Sequence, residues 1–218
     1  VVNSSVGAYT SGHDSKDLYA QLVDHLLTTK PGRSLVQAAG NERGTNFHLG
    51  VVHQNNISRT RFRKASNTYY NEFSMFSDTI DFNQIDFSLQ LIDVPTQQIT
   101  AQTAIYNVLK DFTFAGGIAQ TQQVLFYDTN GQPVSLEIYI DQYEDAYEVN
   151  IRIGSSLNNG DWQLTTTGVG NYDIWSERSL TGTTNMLRNV NVPNYTSSDD
   201  IQSIVGYWTT SEKVITVG

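Results

Sequence analysis

The feature that most constrains this chain is a change in hydrophobic period near residue 59. Before it, Leu18, Leu22 and Leu26 recur every four residues, which predicts one apolar face of a helix. After it, apolar and polar residues alternate along the runs 85–91, 134–140 and 149–153. That alternation predicts antiparallel strands with one wet face. The sequence therefore combines a helical pattern at its start with an all-β pattern afterwards.

The first part of the chain predicts a parallel strand–helix–strand unit. Val1–Gly7 is an apolar run that ends in a glycine turn, and Pro31-Gly32 ends the helical pattern. Leu35–Ala39 then supplies a second strand, and such short connections favour parallel pairing. The last residues, Val214–Gly218, form another short apolar run ending in glycine. The α/β character thus returns at the end of the chain.

The middle of the chain predicts a β-sandwich of jelly-roll type. Asn130-Gly131 separates two alternating runs and is a strong hairpin signal. Residues 99–110 fit either a strand pair or a short helix. We therefore expect an α/β plus all-β fold, in which residues 59–205 are inserted into an α/β domain made of 1–58 and 206–218.

Composition excludes several classes of function. The chain has no cysteine, so disulfides, thiolate metal sites and cysteine nucleophiles are ruled out. Residues 1–58 balance four basic against four acidic side chains, so the net charge of −9 falls on the remainder. An acidic surface does not favour nucleic acid as a partner. The basic run Arg59, Arg61, Arg63, Lys64 is interpreted as a linker or interdomain surface, and no apolar run is long enough to span a membrane.

The segment Ser34–Gly44 reads as a strand, a tight turn and a polar tip. On its residues alone, Asn41 fits an asparagine that merely tolerates a left-handed turn. The segment resembles the strand and turn that deliver the oxyanion-hole asparagine in subtilisin-like serine peptidases (subtilases). Val1–Gly7 and Val214–Gly218 resemble two further strands of that family, in the family's order. Arg43 stands where many relatives have glycine.

A finer resemblance is to the Csp-type subtilases, which carry an inserted jelly roll. Gly40-Asn41-Glu42 followed by His48 and Gly50 is similar to that group, as is Ser11-Gly12-His13-Asp14. Asp161–Gly168 and Tyr172–Trp175 are similar to two closing strands of such a jelly roll.

The resemblance implies a role for seven residues. Asn41 would donate its amide to the oxyanion, as the catalytic side chain present in this chain. Six others would contact a polypeptide substrate: Ser5, Val6, Gly7, Ala38, Ala39 and Gly40. By the family's order the Asp, His and Ser of the triad lie outside this chain. The remainder of the protease domain is thus the expected partner, and a secreted or cell-surface bacterial protein is the expected setting.

Other candidate sites have simpler interpretations. The four histidines, His13, His25, His48 and His53, lack metal-ligand spacing, and His53 and His48 lie in a loop-like stretch where His48 is expected to order the loop after Asn41. Ser4 and Ser5 do not sit in a nucleophile motif. The acidic turn of Asp141, Glu144, Asp145 and Glu148 could offer oxygens to calcium, but its spacing is not that of an EF-hand. A solvated turn is favoured there, so no metal or cofactor is expected.

Two functions remain open at this point. The first is a subtilisin-like endopeptidase whose β-sandwich stabilises or regulates it. The alternative is a glycan- or protein-binding β-sandwich on a pseudoprotease, in which exposed tyrosines form a sugar platform. The candidate tyrosines are Tyr69, Tyr70, Tyr139, Tyr143 and Tyr147.

Overall fold

The computed structural model describes residues 1–5, 13, 15, 16, 18–40, 46, 48–63, 70–108, 110–112, 120–143, 146–154, 160–176, 187, 188, 190–199 and 207–218. The chain divides into two compact units. The first, here called the α/β unit, is residues 1–45 and 200–218. The second, the β-unit, is residues 46–199. Neither α-helix of the described residues has the length and apolar character that a membrane crossing requires.

The α/β unit contains a three-stranded parallel sheet and one long helix. Its elements are β1 (Val2–Ser4), α1 (Leu18–Thr28), β2 (Leu35–Ala38), a 3-10 turn (Tyr207–Thr210) and β13 (Ile215–Val217). β2 lies in the centre, parallel to β1 on one side and to β13 on the other. Three short strands and a helix are a general α/β arrangement, which does not by itself identify a protein family.

The apolar face predicted for α1 is covered only in part: Val23 and Leu27, which lie beside the leucine row, are half-buried. Leu18 is 69% exposed, Leu22 51% and Leu26 48%, whereas Ala20 is fully buried. The helix is held to the chain before β13 by Asp24, whose carboxylate accepts hydrogen bonds from the Ser211 hydroxyl and from the Lys213 amide (3.2 Å for the amide). The period of four predicted the helix, but packing covers one border of the predicted face and leaves the leucine row exposed.

The β-unit contains the remaining elements, and most are strands. They are β3 (His48–Arg63), β4 (Tyr70–Asp78), α2 (Thr79–Asn83), β5 (Ile85–Asp93), β6 (Ile99–Gln102), β7 (Tyr106–Asn107), β8 (Gln120–Tyr127), β9 (Pro133–Tyr143), β10 (Ala146–Gly154), β11 (Gly160–Ser176) and β12 (Leu187–Arg188). The β-rich fold expected from period-two alternation is confirmed. The described part of residues 99–110 contains two strands and no helix, and both strands pair with β5.

The strands form one continuous sheet instead of two separate ones. β11 is paired with β3 along its length, with β5 through residues 160–168 and with β4 through residues 173–176. The strand on the other side of β11 changes from β5 to β4. The sheet therefore folds back on itself at β11. A single buried core contains Trp162 of β11, Phe62 of β3, and Phe73 and Met75 of β4. The rings of Phe62 and Phe73 meet at 4.8 Å.

Two positive-φ glycines lie in β11 where its second partner changes from β5 to β4. The ladder with β3 shifts register between Gly168 and Val169, and Gly168 has φ +133°. Gly170, with φ +129°, lies against Asp81 of α2, whose carboxylate accepts the Asn171 amide at 2.9 Å. Segments 161–168 and 172–175, which the resemblance assigned to two closing strands, thus belong to one continuous strand. The extra residue of the register shift, Asn55 with φ +59°, lies in the partner strand β3.

Two further expectations differ from the structure. β3 begins at His48 and runs through residue 59, so the β-structure starts before the change in hydrophobic period. The outer face of β5 is not wet, since Ser88 and Gln90 are buried and hydrogen-bonded to each other at 2.9 Å. The hairpin at Asn130-Gly131 is present: β8 and β9 pair in antiparallel register up to Tyr127 and Pro133, and Gly131 has φ +75°.

Candidate functional site

The carboxyl ends of the three parallel strands meet at one edge of the α/β unit. Ser4 pairs with Gln37, and Val217 pairs with Ala38, so the residues that follow each strand leave the sheet on the same side. In open α/β sheets this edge is where ligands bind. Ser5, Ala39 and Gly218 are the residues that come next at this edge.

β2 is fixed at this edge from both sides. The Ala39 amide donates to the Val217 carbonyl at 2.7 Å, which extends the pairing with β13 by one residue. Gln37 is fully buried, and its side-chain amide lies 3.3 Å from the Ala38 carbonyl, to which it donates. A central strand that is held by neighbours and by a buried side chain keeps the residues after it in one position.

The residues that follow β2 at this edge are small. Ala38 and Ala39 are half-buried and Gly40 is exposed. A Cβ on Gly218 would lie 3.4 Å from the Ala39 Cβ, an ordinary contact distance. Gly40 has φ +103°, a conformation that glycine adopts without strain, and it turns the chain immediately before Asn41.

The predicted site residues fall into two groups. Ser5, Ala38, Ala39 and Gly40 lie together at the carboxyl edge of the parallel sheet. Asn41, Val6 and Gly7 lie outside the described residues. The edge can therefore be described, while the roles of all seven remain predictions.

β1 is an edge strand among the described residues. It pairs with β2 and with no other described strand, and Val2, Asn3 and Ser5 are exposed. An exposed strand edge can add an extended peptide as a further strand through main-chain hydrogen bonds.

His48 in the β-unit is the centre of a charged cluster that local sequence patterns did not predict. Its Nδ1 lies 2.7 Å from Asp199 Oδ1, and its Nε2 lies 3.2 Å from Asp173 Oδ1. The ring is buried and lies 4.6 Å from that of Trp175. Both ring nitrogens face carboxylates, so His48 is not available as a general base. The residues are far apart in sequence, and no local spacing could have indicated them.

The pKa of His48 reflects two opposing effects. Burial lowers it, while hydrogen bonds to Asp173 and Asp199 and the charges of both carboxylates raise it. The carboxylates outweigh burial, so the pKa of His48 lies above its ordinary value.

His53 belongs to a separate, neutral network. Its Nε2 lies 2.9 Å from Thr166 Oγ1, which lies 2.7 Å from the buried Tyr172 hydroxyl. Burial lowers the pKa of His53 and raises the pKa of Tyr172, so both side chains are kept uncharged. Both His48 and His53 lie within β3, not in the loop that the sequence predicted.

The acidic turn and the tyrosines show ordinary structural roles where they are described. Tyr139 is half-buried and donates to Asp141 Oδ2 at 3.2 Å, and Tyr147 packs against the core. Glu144, Asp145 and Tyr69 lie outside the described residues, as do the side chains of Tyr70 and Tyr143. Within the part of the chain that the structure describes, no group of three His, Cys, Asp or Glu side chains is placed to hold a metal ion.

The comparisons with known proteins give a likeness in structure alone. No protein-family model matches the sequence, and no curated protein matches it. Among solved structures, the chain is similar to the CspB protease of Clostridium perfringens, with a TM-score of 0.68 and 19% sequence identity. The match covers 100% of this chain and 40% of that protease. At this identity the likeness concerns the fold, and the chain spans well under half of its structural neighbour.

Proposed function

We propose that this chain is the middle portion of a subtilisin-like serine endopeptidase, interrupted by a jelly-roll-type insertion. The observation that carries the proposal is the match over the whole chain, α/β unit and β-unit alike, to the CspB protease. A β-sandwich alone would say little, because that architecture has many functions. A match that includes three ordered parallel strands as well as the β-unit is more specific than a match to a β-sandwich alone.

The carboxyl edge of the parallel sheet supports an active-site role. It combines an exposed strand edge at β1, small residues at Ala38–Gly40 and a positive-φ turn directly before Asn41. A peptide substrate would pair with β1 near Ser5, Val6 and Gly7. The side chain before its scissile bond would occupy the space beside Ala38, Ala39 and Gly40.

Asn41 would stabilise the tetrahedral intermediate of peptide hydrolysis. A side-chain amide is effective in this role when it is preorganised, because it then needs no reorientation as the oxyanion forms. The hydrogen bonds that fix the end of β2 provide that rigidity up to Ala39. The triad Asp and His would precede residue 1 and the Ser would follow residue 218, so this chain alone would not hydrolyse peptides.

The exposed leucines of α1 are consistent with this division. A helix face that is apolar and uncovered usually packs on something else in the complete molecule. In the proposed parent, the remainder of the protease domain would cover Leu18, Leu22 and Leu26. The β-unit would stabilise or regulate the protease, in a secreted or cell-surface bacterial protein.

The proposal is tested by comparing the 218-residue chain with its parent protein. The parent should hydrolyse peptide substrates and react with a serine-directed fluorophosphonate at a serine outside residues 1–218. The 218-residue chain should do neither. Turnover by the chain alone would contradict the proposed division of the active site. A parent that neither reacts nor hydrolyses would support the pseudoprotease alternative instead.

A further inference from the structure

The two ends of the β-unit are joined at His48 and Asp199. His48 opens β3, and Asp199 is the last residue of the unit. The Asp199 amide donates to the His48 carbonyl at 2.9 Å, and the side chains meet at 2.7 Å. The second Asp199 oxygen accepts the Gly50 amide at 3.2 Å. Main-chain and side-chain hydrogen bonds thus join the start of β3 to the last residue of the β-unit. This junction of His48, Gly50 and Asp199 is here called the root of the β-unit.

Asp173 of β11 supplies a second carboxylate to the same ring. It faces Gly50 across the β3–β11 ladder, and its Oδ1 lies 3.2 Å from His48 Nε2. A Cβ at residue 50 would lie 3.2 Å from that oxygen, so glycine leaves room for the carboxylate. Carboxylates accept hydrogen bonds, so both ring nitrogens must donate, and only the protonated imidazole has two donors.

Among the described residues, the charge balance at this ring involves three side chains, those of His48, Asp173 and Asp199. The ring is stacked near Trp175, which contacts Phe76 of β4 edge-on at 5.2 Å. Neither aromatic residue carries a charge. Among the described groups, the ones that raise the pKa of His48 are Asp173 and Asp199, and burial opposes them.

We propose that His48, Asp173 and Asp199 form a pH-sensitive clamp that closes the root of the β-unit while His48 is protonated and loosens when the proton is lost. On deprotonation, one ring nitrogen becomes an acceptor and faces a carboxylate oxygen, which repels it. The bonds from the Gly50 and Asp199 amides then lose their support. The inference does not depend on the proposed peptidase function.

The sign of the effect follows from the raised pKa. In the unfolded chain a histidine loses its proton near pH 6.5. The clamp is fully present below that pH and is lost as pH rises through the higher folded pKa of His48. Raising the pH through the folded pKa of His48 therefore opens the root, whereas lower pH keeps it closed.

The test is NMR on the 218-residue chain between pH 5.5 and about 9. The His48 ring should titrate above the value of an unfolded histidine, about 6.5. Hydrogen-exchange protection of the Gly50 and Asp199 amides, corrected for intrinsic rates, should fall through the same midpoint. Asp199→Asn should lower the midpoint while keeping the side-chain shape.

Variants separate the clamp from a general pH effect. His48→Gln should make the protection of both amides independent of pH in this range. His25→Gln changes a histidine on exposed α1 and should leave the wild-type profile intact. A His48 midpoint at or below that of unfolded histidine would overturn the proposal. Amide protection that does not change across the His48 midpoint would overturn it as well, and this wild-type measurement needs no variant to fold.

Discussion

Gly168 lies against the backbone of Gln84 so closely that a Cβ at Gly168 would come within 2.0 Å of the Gln84 carbonyl oxygen. Gln84 follows α2 and precedes β5, so the contact joins β11, at its register shift against β3, to the start of the neighbouring strand β5. At this position backbone approaches backbone where a side chain would otherwise stand.

Gly168→Ala should therefore destabilise the β-unit strongly. The substitution combines a φ of +133° with a clash against immobile backbone, and we expect a loss of about 4 kcal/mol in the free energy of unfolding. Gly131→Ala is the matched control, because φ is +75° there and no atom lies within 4 Å of the added Cβ. It should cost about 1 kcal/mol. Urea unfolding of both variants measures the difference, and equal losses would show that the close approach does not matter.

Removing the Thr166 hydroxyl should lower the free energy of unfolding by more than its small volume suggests. Thr166→Val keeps the shape but leaves His53 Nε2 and the Tyr172 hydroxyl without this partner in the interior. We expect a loss of about 2 kcal/mol in unfolding free energy. Thr166→Ser retains the hydroxyl and should lose about 1 kcal/mol or less for its missing methyl group. If Ser proves as costly as Val, the network contributes nothing beyond packing.

His53 should make the chain less stable in mild acid. Its pKa is lowered by burial, so the unfolded chain takes up a proton near pH 6.5 before the folded chain does. Neutral His53 makes its full contribution to the free energy of unfolding above that pH. The contribution is lost as pH falls toward the pKa of His53 in the folded chain. In His53→Gln, the slope of unfolding free energy against pH between about 5 and 6.5 should be shallower than in wild type. An unchanged slope would mean that His53 titrates alike in both states.

Leu22 should respond differently in the chain and in its proposed parent. It is 51% exposed, so Leu22→Gln should change the stability of the 218-residue chain by no more than about 0.5 kcal/mol. In the parent, where the remainder of the protease domain would cover α1, the same change should cost about 2 kcal/mol or more. Thermal unfolding of both proteins makes the comparison. A parent that is as tolerant as the chain would argue that α1 faces solvent there too.

Local patterns predicted much of the secondary structure and little of the long-range arrangement. The period of four in α1 and the Asn130-Gly131 turn are short-range signals with direct causes, and both elements are present. The stretch around His48 and His53, expected to be a loop, is part of β3, although it contains Gly50, Asn55 and Asn56, residue types that favour turns. Local patterns do not indicate that β11 is one strand, because Gly168 and Gly170 are residues that usually weaken a strand interior.

The candidate site was predictable only in part. The small residues at the end of β2 stand next to one another in sequence, so a motif could indicate them. His48 and Asp199 are 151 residues apart and meet only after the whole β-unit has folded. No local pattern carries such a pair, and the same holds for His48 and Asp173.

The oxyanion role of Asn41 is tested most directly by the turnover of Asn41→Ala in the proposed full-length peptidase. Removing the oxyanion-hole asparagine of subtilisin lowers kcat by about 10²–10³, and that known loss sets the scale expected here. We predict a fall of that size in kcat with a smaller change in KM, because the amide acts on the transition state more than on the bound substrate. A kcat that stays within about threefold of wild type would contradict the assignment of Asn41 to the oxyanion hole.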